Sequence, residues 1–206
     1  MNSYAKTAAA VAAMIGCTTM ANADAKTDVF TLILDPTVGN AIIDQSLQGA
    51  LIDAMLADMR NRGLAFGDDI RLRGPRHVVE WNADLRTDRA LLPGSLKDEF
   101  TDRLSFVPIS DGSSRIMTTI QMTDVDCGGE GNAVVYILSD LASALDLSDG
   151  MAQLDAVPDV AWAGCDIVWV APMTGSDATL GQIQAVEDLI AQMSEAFDGD
   201  GYDVLR

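Results

Sequence analysis

Residues 27–36 read TDVFTLILDP. Thr27 to Leu34 is a largely apolar run of strand-forming side chains, and it stops abruptly at Asp35-Pro36, where proline removes a ladder donor. Apolar side chains on both alternating sets of positions predict a strand buried on both faces, as in a parallel sheet covered by helices. Two later stretches have the same character. Asn132 to Leu138 (NAVVYIL) ends at Ser139-Asp140, and Asp166 to Ala171 (DIVWVA) ends at Pro172.

Between these strands the period changes from two to that of a helix. Ile43, Leu47, Ala50, Leu51, Ala54 and Met55 recur at helical spacing, with Gly63 as the stop. Near the end, Ile183, Val186, Leu189, Ile190, Met193 and Phe197 share one face of a helix that starts after Ser176-Asp177 and closes near Gly199. Shorter helices are expected over Pro93 to Leu104 and Ser113 to Met122, and a further helical segment after the second buried strand. Asp69 to Arg73 and His77 to Trp81 flank Gly74-Pro75-Arg76. Ile70 and Leu72 alternate there with Arg71 and Arg73, which predicts a half-exposed hairpin. Tyr202 to Leu205 is a candidate closing strand.

Buried strands alternating with amphipathic helices predict an α/β fold: a three-layer α/β/α arrangement around a mostly parallel, doubly wound (Rossmann-like) sheet with an edge hairpin. Ligands of such sheets bind beyond the carboxyl ends of the strands. Asp35 and Asp140 both follow buried strands, so both carboxylates are expected at that pole. Cys127 and Cys165 precede strands and are expected together at the other pole, where they either form a bridge or remain two thiols.

The chain opens with features of export. Met1 to Lys6 is weakly positive and Thr7 to Gly16 (TAAAVAAMIG) is apolar but shorter than the ~20 residues of a membrane span. Residues 1–23 are read as a signal peptide cleaved after Ala21-Asn22-Ala23, which leaves residues 24–206 as one domain of ordinary size. The alternative is a lipoprotein signal over residues 1–16 with Cys17 as the lipid anchor, since Met14-Ile15-Gly16-Cys17 is similar to a lipoprotein box. The expected location is periplasmic or secreted, or membrane-tethered, with no transmembrane helix in the mature protein. An oxidising compartment favours pairing of Cys127 with Cys165.

Charge excludes some partners. The chain carries 31 acidic against 13 basic side chains, a net charge of -18. Cleavage after Ala23 removes Lys6 and no acid. Such a field repels nucleic acid and anionic membranes. Arg60, Arg62, Arg71, Arg73 and Arg76 locally reverse the sign near the hairpin, which suggests either an acidic docking partner or a solvated, acid-paired face.

Three short elements, in order, read Asp35-Pro36-Thr37-Val38-Gly39, Gly112-Ser113-Ser114-Arg115-Ile116 and Ser139-Asp140-Leu141. Together with the strand and helix order they resemble the von Willebrand factor A-type domain. The family's first strand ends in D-x-S-x-S, a middle loop adds a hydroxyl, and an aspartate follows the fourth strand. The resemblance implies a metal-ion-dependent adhesion site with Asp35, Thr37, Ser113, Ser114 and Asp140 as ligands of Mg²⁺ or Ca²⁺, and a protein partner as the bound species. Hard cations of this kind take oxygen donors, Mg²⁺ about six of them. The chain departs from the pattern at Thr37, Gly39 and Leu141.

Other chemistries are poorly served. His77 is the single histidine, so multi-histidine metal centres are excluded, and no G-x-S-x-G elbow presents a nucleophile. No Walker-type loop is present. Thr37-Val38-Gly39-Asn40 is similar to a flavodoxin phosphate loop but lacks its hydroxyls, and Asp198-Gly199-Asp200-Gly201 lacks the later ligands of an EF-hand. The expectation is therefore an exported, acidic, VWA-like binding or scaffold module for protein-protein interaction rather than an enzyme. The alternative is a metal-dependent hydrolase on a Rossmann-like sheet.

Overall fold

A computed structural model of the chain describes residues 26–37, 40, 42–65, 67–74, 80–84, 93–105, 107–109, 116–141, 157–172 and 179–206. Along them run β1 (Val29–Leu34), α1 (Gln45–Asn61), β2 (Asp69–Arg73), β3 (Glu80–Asp84), α2 (Pro93–Ser105), α3 (Ile116–Met122), β4 (Ala133–Leu138), β5 (Cys165–Val170), α4 (Leu180–Ala196) and β6 (Gly201–Leu205). The strands form one sheet in the order β3-β2-β1-β4-β5-β6. Every neighbouring pair is parallel except β2 with β3, which is antiparallel. The mostly parallel α/β fold and its edge hairpin are present.

The three apolar stretches are the centre of this sheet, and all six residues of β4 are buried. Alternation along the strands feeds two apolar clusters. Phe30, Leu32, Leu34, Val134, Tyr136 and Leu138 pack with Leu51, Ile52 and Met55 of α1 and with Leu96, Phe100 and Leu104 of α2. Ile33, Val135, Ile137, Ile167 and Trp169 pack instead with Ile116 and Ile120 of α3 and with Val186, Leu189, Ile190 and Met193 of α4. The two sets of helices therefore bury opposite sets of strand residues, as the period-two geometry of a strand requires.

Local signals start and stop the helices. Asp44 caps α1 by accepting from the Ser46 N–H at 2.8 Å, and Gly63 follows the helix in the left-handed region at φ 108°. Thr179 and Gln182 form a reciprocal capping box at the start of α4.

The hairpin departs from expectation in its second strand. It begins at Glu80, opposite Arg73, and runs to Asp84, opposite Asp69. The described strand therefore extends past the expected end at Trp81 to Asp84, because pairing follows the whole length of β2, which turn residues alone do not set. In β2 the expected alternation holds, with Ile70 and Leu72 buried. His77 to Val79 lie outside the described residues. So do residues 1–23, expected to be a signal sequence, and most of the expected helix between β4 and β5.

Candidate functional site at the carboxyl pole

The sheet order creates a special position between β1 and β4. From β1 the chain moves to β2 on one side, and from β4 it moves to β5 on the other, so the adjacent carboxyl ends of β1 and β4 form a topological switch point. In sheets of this kind a switch point is where a ligand crevice is expected. Leu34 stands opposite Leu138 in register, and the Asp35 N–H donates to the Leu138 carbonyl at 3.0 Å. The next residue of each strand therefore meets across the crevice.

These two residues are Asp35 and Ser139. Both are 1% exposed. The Ser139 hydroxyl donates to Asp35 Oδ2 at 2.8 Å, and the Thr37 hydroxyl donates to Asp35 Oδ1 at 3.0 Å. Ser139 Oγ also accepts from the Leu141 N–H at 3.1 Å. Thr37 is buried as well. A buried carboxylate is costly without donors, and both of its oxygens are served here. Asn40, 1% exposed, completes the floor: Nδ2 donates to the carbonyls of Asp35 at 2.8 Å and Leu138 at 3.1 Å.

Two of the three described non-glycine residues with positive φ lie at this pole, the third being Asp198 before β6. Leu141 and Ala171, which follow β4 and β5, have φ of 56° and 57° although neither is glycine, and both are fully buried. Such conformations cost of order 1–3 kcal/mol each and persist where the surroundings dictate them.

Of the residues expected to hold a cation, Asp35 and Thr37 are brought together. Asp140 adjoins them in the chain, half-buried, one residue beyond Ser139. Ser113 and Ser114 lie outside the described residues, as does Gly39. Ser139 was not among the expected ligands, because an acidic side chain next to it is the more usual cation donor. The signal for Ser139 is positional: it is the first residue after its strand, as Asp35 is after β1.

The donor set suits a hard divalent ion. One carboxylate and two hydroxyl oxygens are all hard donors, and a hydroxyl that donates its proton to Asp35 keeps lone pairs for a cation. Asp35, Thr37 and Ser139 would hold such an ion, with Asp140 beside them, and the ion would supply positive charge for a partner's oxygen. Among the described residues no group of three or more His, Cys, Asp or Glu side chains gathers.

The opposite, amino pole is locked by other means. Cys127 and Cys165 form a disulfide with Cα atoms 5.1 Å apart. Asp28 accepts from the Asn132 N–H at 2.7 Å and from its Nδ2 at 3.1 Å. Asp68 accepts from the N–H groups of Asp28 and Ala65. Burial raises the Asp68 pKa above its ordinary value, against the opposing pull of those two bonds.

Of the arginines near the hairpin, Arg62 and Arg71 lie against acidic side chains. Arg62 is bonded to Asp58 at 2.8 Å, to Asp166 at 3.0 Å and to Asp203. Arg71 lies 3.7 Å from Asp69, Arg73 donates to the Leu72 carbonyl, and Arg76 is outside the described residues. The Tyr136 hydroxyl joins the Arg62 cluster by donating to Asp58 at 2.8 Å. Trp162 and Trp169 are core residues, 2% and 0% exposed, and Trp169 Nε1 donates to Ser194 at 3.0 Å.

No protein-family model, curated protein or solved structure matches the chain. Function has to be read from the site itself.

Proposed function

We propose that this protein is an exported, VWA-like binding or scaffold module whose ligand site is the crevice between β1 and β4, assisted there by a divalent cation, Mg²⁺ or Ca²⁺. The observation that carries the proposal is the buried Asp35 carboxylate at the switch point, held by hydroxyls from two separate loops. Hydroxyls can both support Asp35 and face an ion.

The partner is proposed to be a protein whose carboxylate completes the cation's coordination. Export is supported by the signal-like start of the sequence and by the Cys127–Cys165 disulfide, which suits an oxidising compartment. Among the described residues no helix is long and apolar enough to cross a membrane.

Calorimetric titration with Mg²⁺, Mn²⁺ and Ca²⁺ tests the site. The wild-type protein is expected to bind at least one of them, and Asp35→Asn and Ser139→Ala to bind it about tenfold or more weakly, the loss that follows from removing one charged or polar ligand. Wild-type protein that binds none of the three would sink the cation-assisted reading.

A further inference from the structure

Asn40 makes more connections at the carboxyl pole than either hydroxyl residue. Its side-chain amide donates to the carbonyls of Asp35 and Leu138, and its Oδ1 accepts from the Ile42 N–H at 3.1 Å. Its backbone N–H donates to the Thr37 carbonyl at 3.2 Å, and its carbonyl accepts from the N–H groups of Ile43 at 2.9 Å and Asp44 at 3.2 Å. One buried residue thus joins the exit of β1, the end of β4 and the approach to α1.

The chemistry of that role is narrow. Two carbonyls need two donors on one atom, while the Ile42 N–H needs an acceptor on the other, and a primary amide supplies both. Aspartate would set an oxygen against two carbonyl oxygens. Serine has one donor and a shorter reach. Because Leu138 precedes Ser139 directly, the bond to its carbonyl also sets where the Ser139 hydroxyl meets Asp35.

We propose that Asn40 is the positioning residue of this site: by tying the Asp35 and Leu138 carbonyls to one amide it fixes the width of the crevice between β1 and β4. The role in binding rests on the cation-assisted reading given above, but the staple itself does not. It acts through Asp35, Thr37 and Ser139 and touches no ligand itself.

The test uses the mature protein carrying Asn40→Ala, Asn40→Ser or Asn40→Asp, with Tyr136→Phe as a core control remote from the crevice. Native-state hydrogen exchange is followed at the Asp35 and Leu141 amides and, for reference, at Phe30 and Val135. The Asn40 variants are expected to exchange about tenfold or more faster at Asp35 and Leu141, with Phe30 and Val135 following only the change in global stability. In Mn²⁺ titrations of the folded variants affinity is expected to fall about tenfold, while Tyr136→Phe leaves it unchanged.

A uniform rise in exchange over the whole sheet would make Asn40 a general stabiliser and overturn the inference. Unchanged Mn²⁺ affinity in a folded Asn40 variant would overturn it equally. If the wild-type protein binds no Mn²⁺, Mg²⁺ or Ca²⁺, the proposed function fails, and the exchange pattern alone decides whether Asn40 holds the crevice. Should Asn40→Asp fail to fold, Asn40→Ala and Asn40→Ser give both readouts.

Discussion

Each end of the sheet buries one aspartate, Asp35 or Asp68, yet the two ends hold their aspartates differently. At the amino pole Asp28 and Asp68 take bonds from backbone N–H groups and from Asn132, and a disulfide fixes the neighbouring loop. Space there is exhausted: a Cβ on Gly131 would fall 2.1 Å from the Thr27 carbonyl oxygen, and Gly164, at φ 89°, packs against the Cys127 carbonyl. At the carboxyl pole Asp35 is held by side-chain hydroxyls, over a crevice opened by chain topology. Backbone donors and a covalent bond make a fixed base, whereas hydroxyls keep lone pairs with which a ligand can be met.

The strongest way to break this contrast is to remove the covalent bond. Replacing Cys127 and Cys165 together by Ser and Ala opens a link of sequence separation 38. On the chain-entropy model this costs ~3–4 kcal/mol. Chemical denaturation is expected to show that loss, while cation affinity of the folded fraction stays at the wild-type level. A parallel loss of affinity would mean that the two poles are not independent.

A second, smaller effect lies in the Arg62 cluster, which ties the end of α1 to β4, β5 and β6. Burial, reinforced by the bond to Asp58, raises the Tyr136 pKa well above its ordinary value of 10.0. The folded state therefore keeps the phenol proton after the unfolded chain has begun to lose it. The corresponding stability is fully present below pH 10 and is lost progressively as pH rises beyond it. Denaturation midpoints measured from pH 9 upward are expected to fall more steeply for wild type than for Tyr136→Phe. Parallel curves would remove Tyr136 as the source.

The smallest expected effect separates packing from polarity in the sheet itself. Thr31 is 1% exposed and its hydroxyl has no hydrogen-bond partner among the described residues. Thr31→Val keeps the branched shape and removes the buried polar atom, so stability is expected to be unchanged or to rise by up to ~1 kcal/mol. A Tm lowered by several degrees would show that the hydroxyl is bonded to water in solution.

Much of the fold was legible in residue pattern. TLIL, AVVYIL and IVWV carry apolar residues on both strand faces, as a parallel sheet covered on both sides requires. The positions of Asp35 and of the two cysteines followed from where those strands end and begin. The end of β3 was not legible, since its pairing depends on the length of the partner strand and not on the local turn. Ser139 and Asn40 were missed for a related reason: a serine beside an aspartate and an asparagine in a polar loop carry no pattern of their own. Their importance comes from contacts between residues 104 and 98 positions apart in the chain.

What sequence alone determined here is the alternation of strand and helix, because periodicity and burial are local consequences of side-chain chemistry. It also placed an aspartate at the end of the first strand. Tertiary structure decided which residues meet that aspartate. Bringing β4 beside β1, with the chain turning away on either side, set Ser139 rather than Asp140 against the Asp35 carboxylate and put Asn40 beneath both. The reason is geometric: only the pairing of β1 with β4 brings residues so far apart in the chain to the same point.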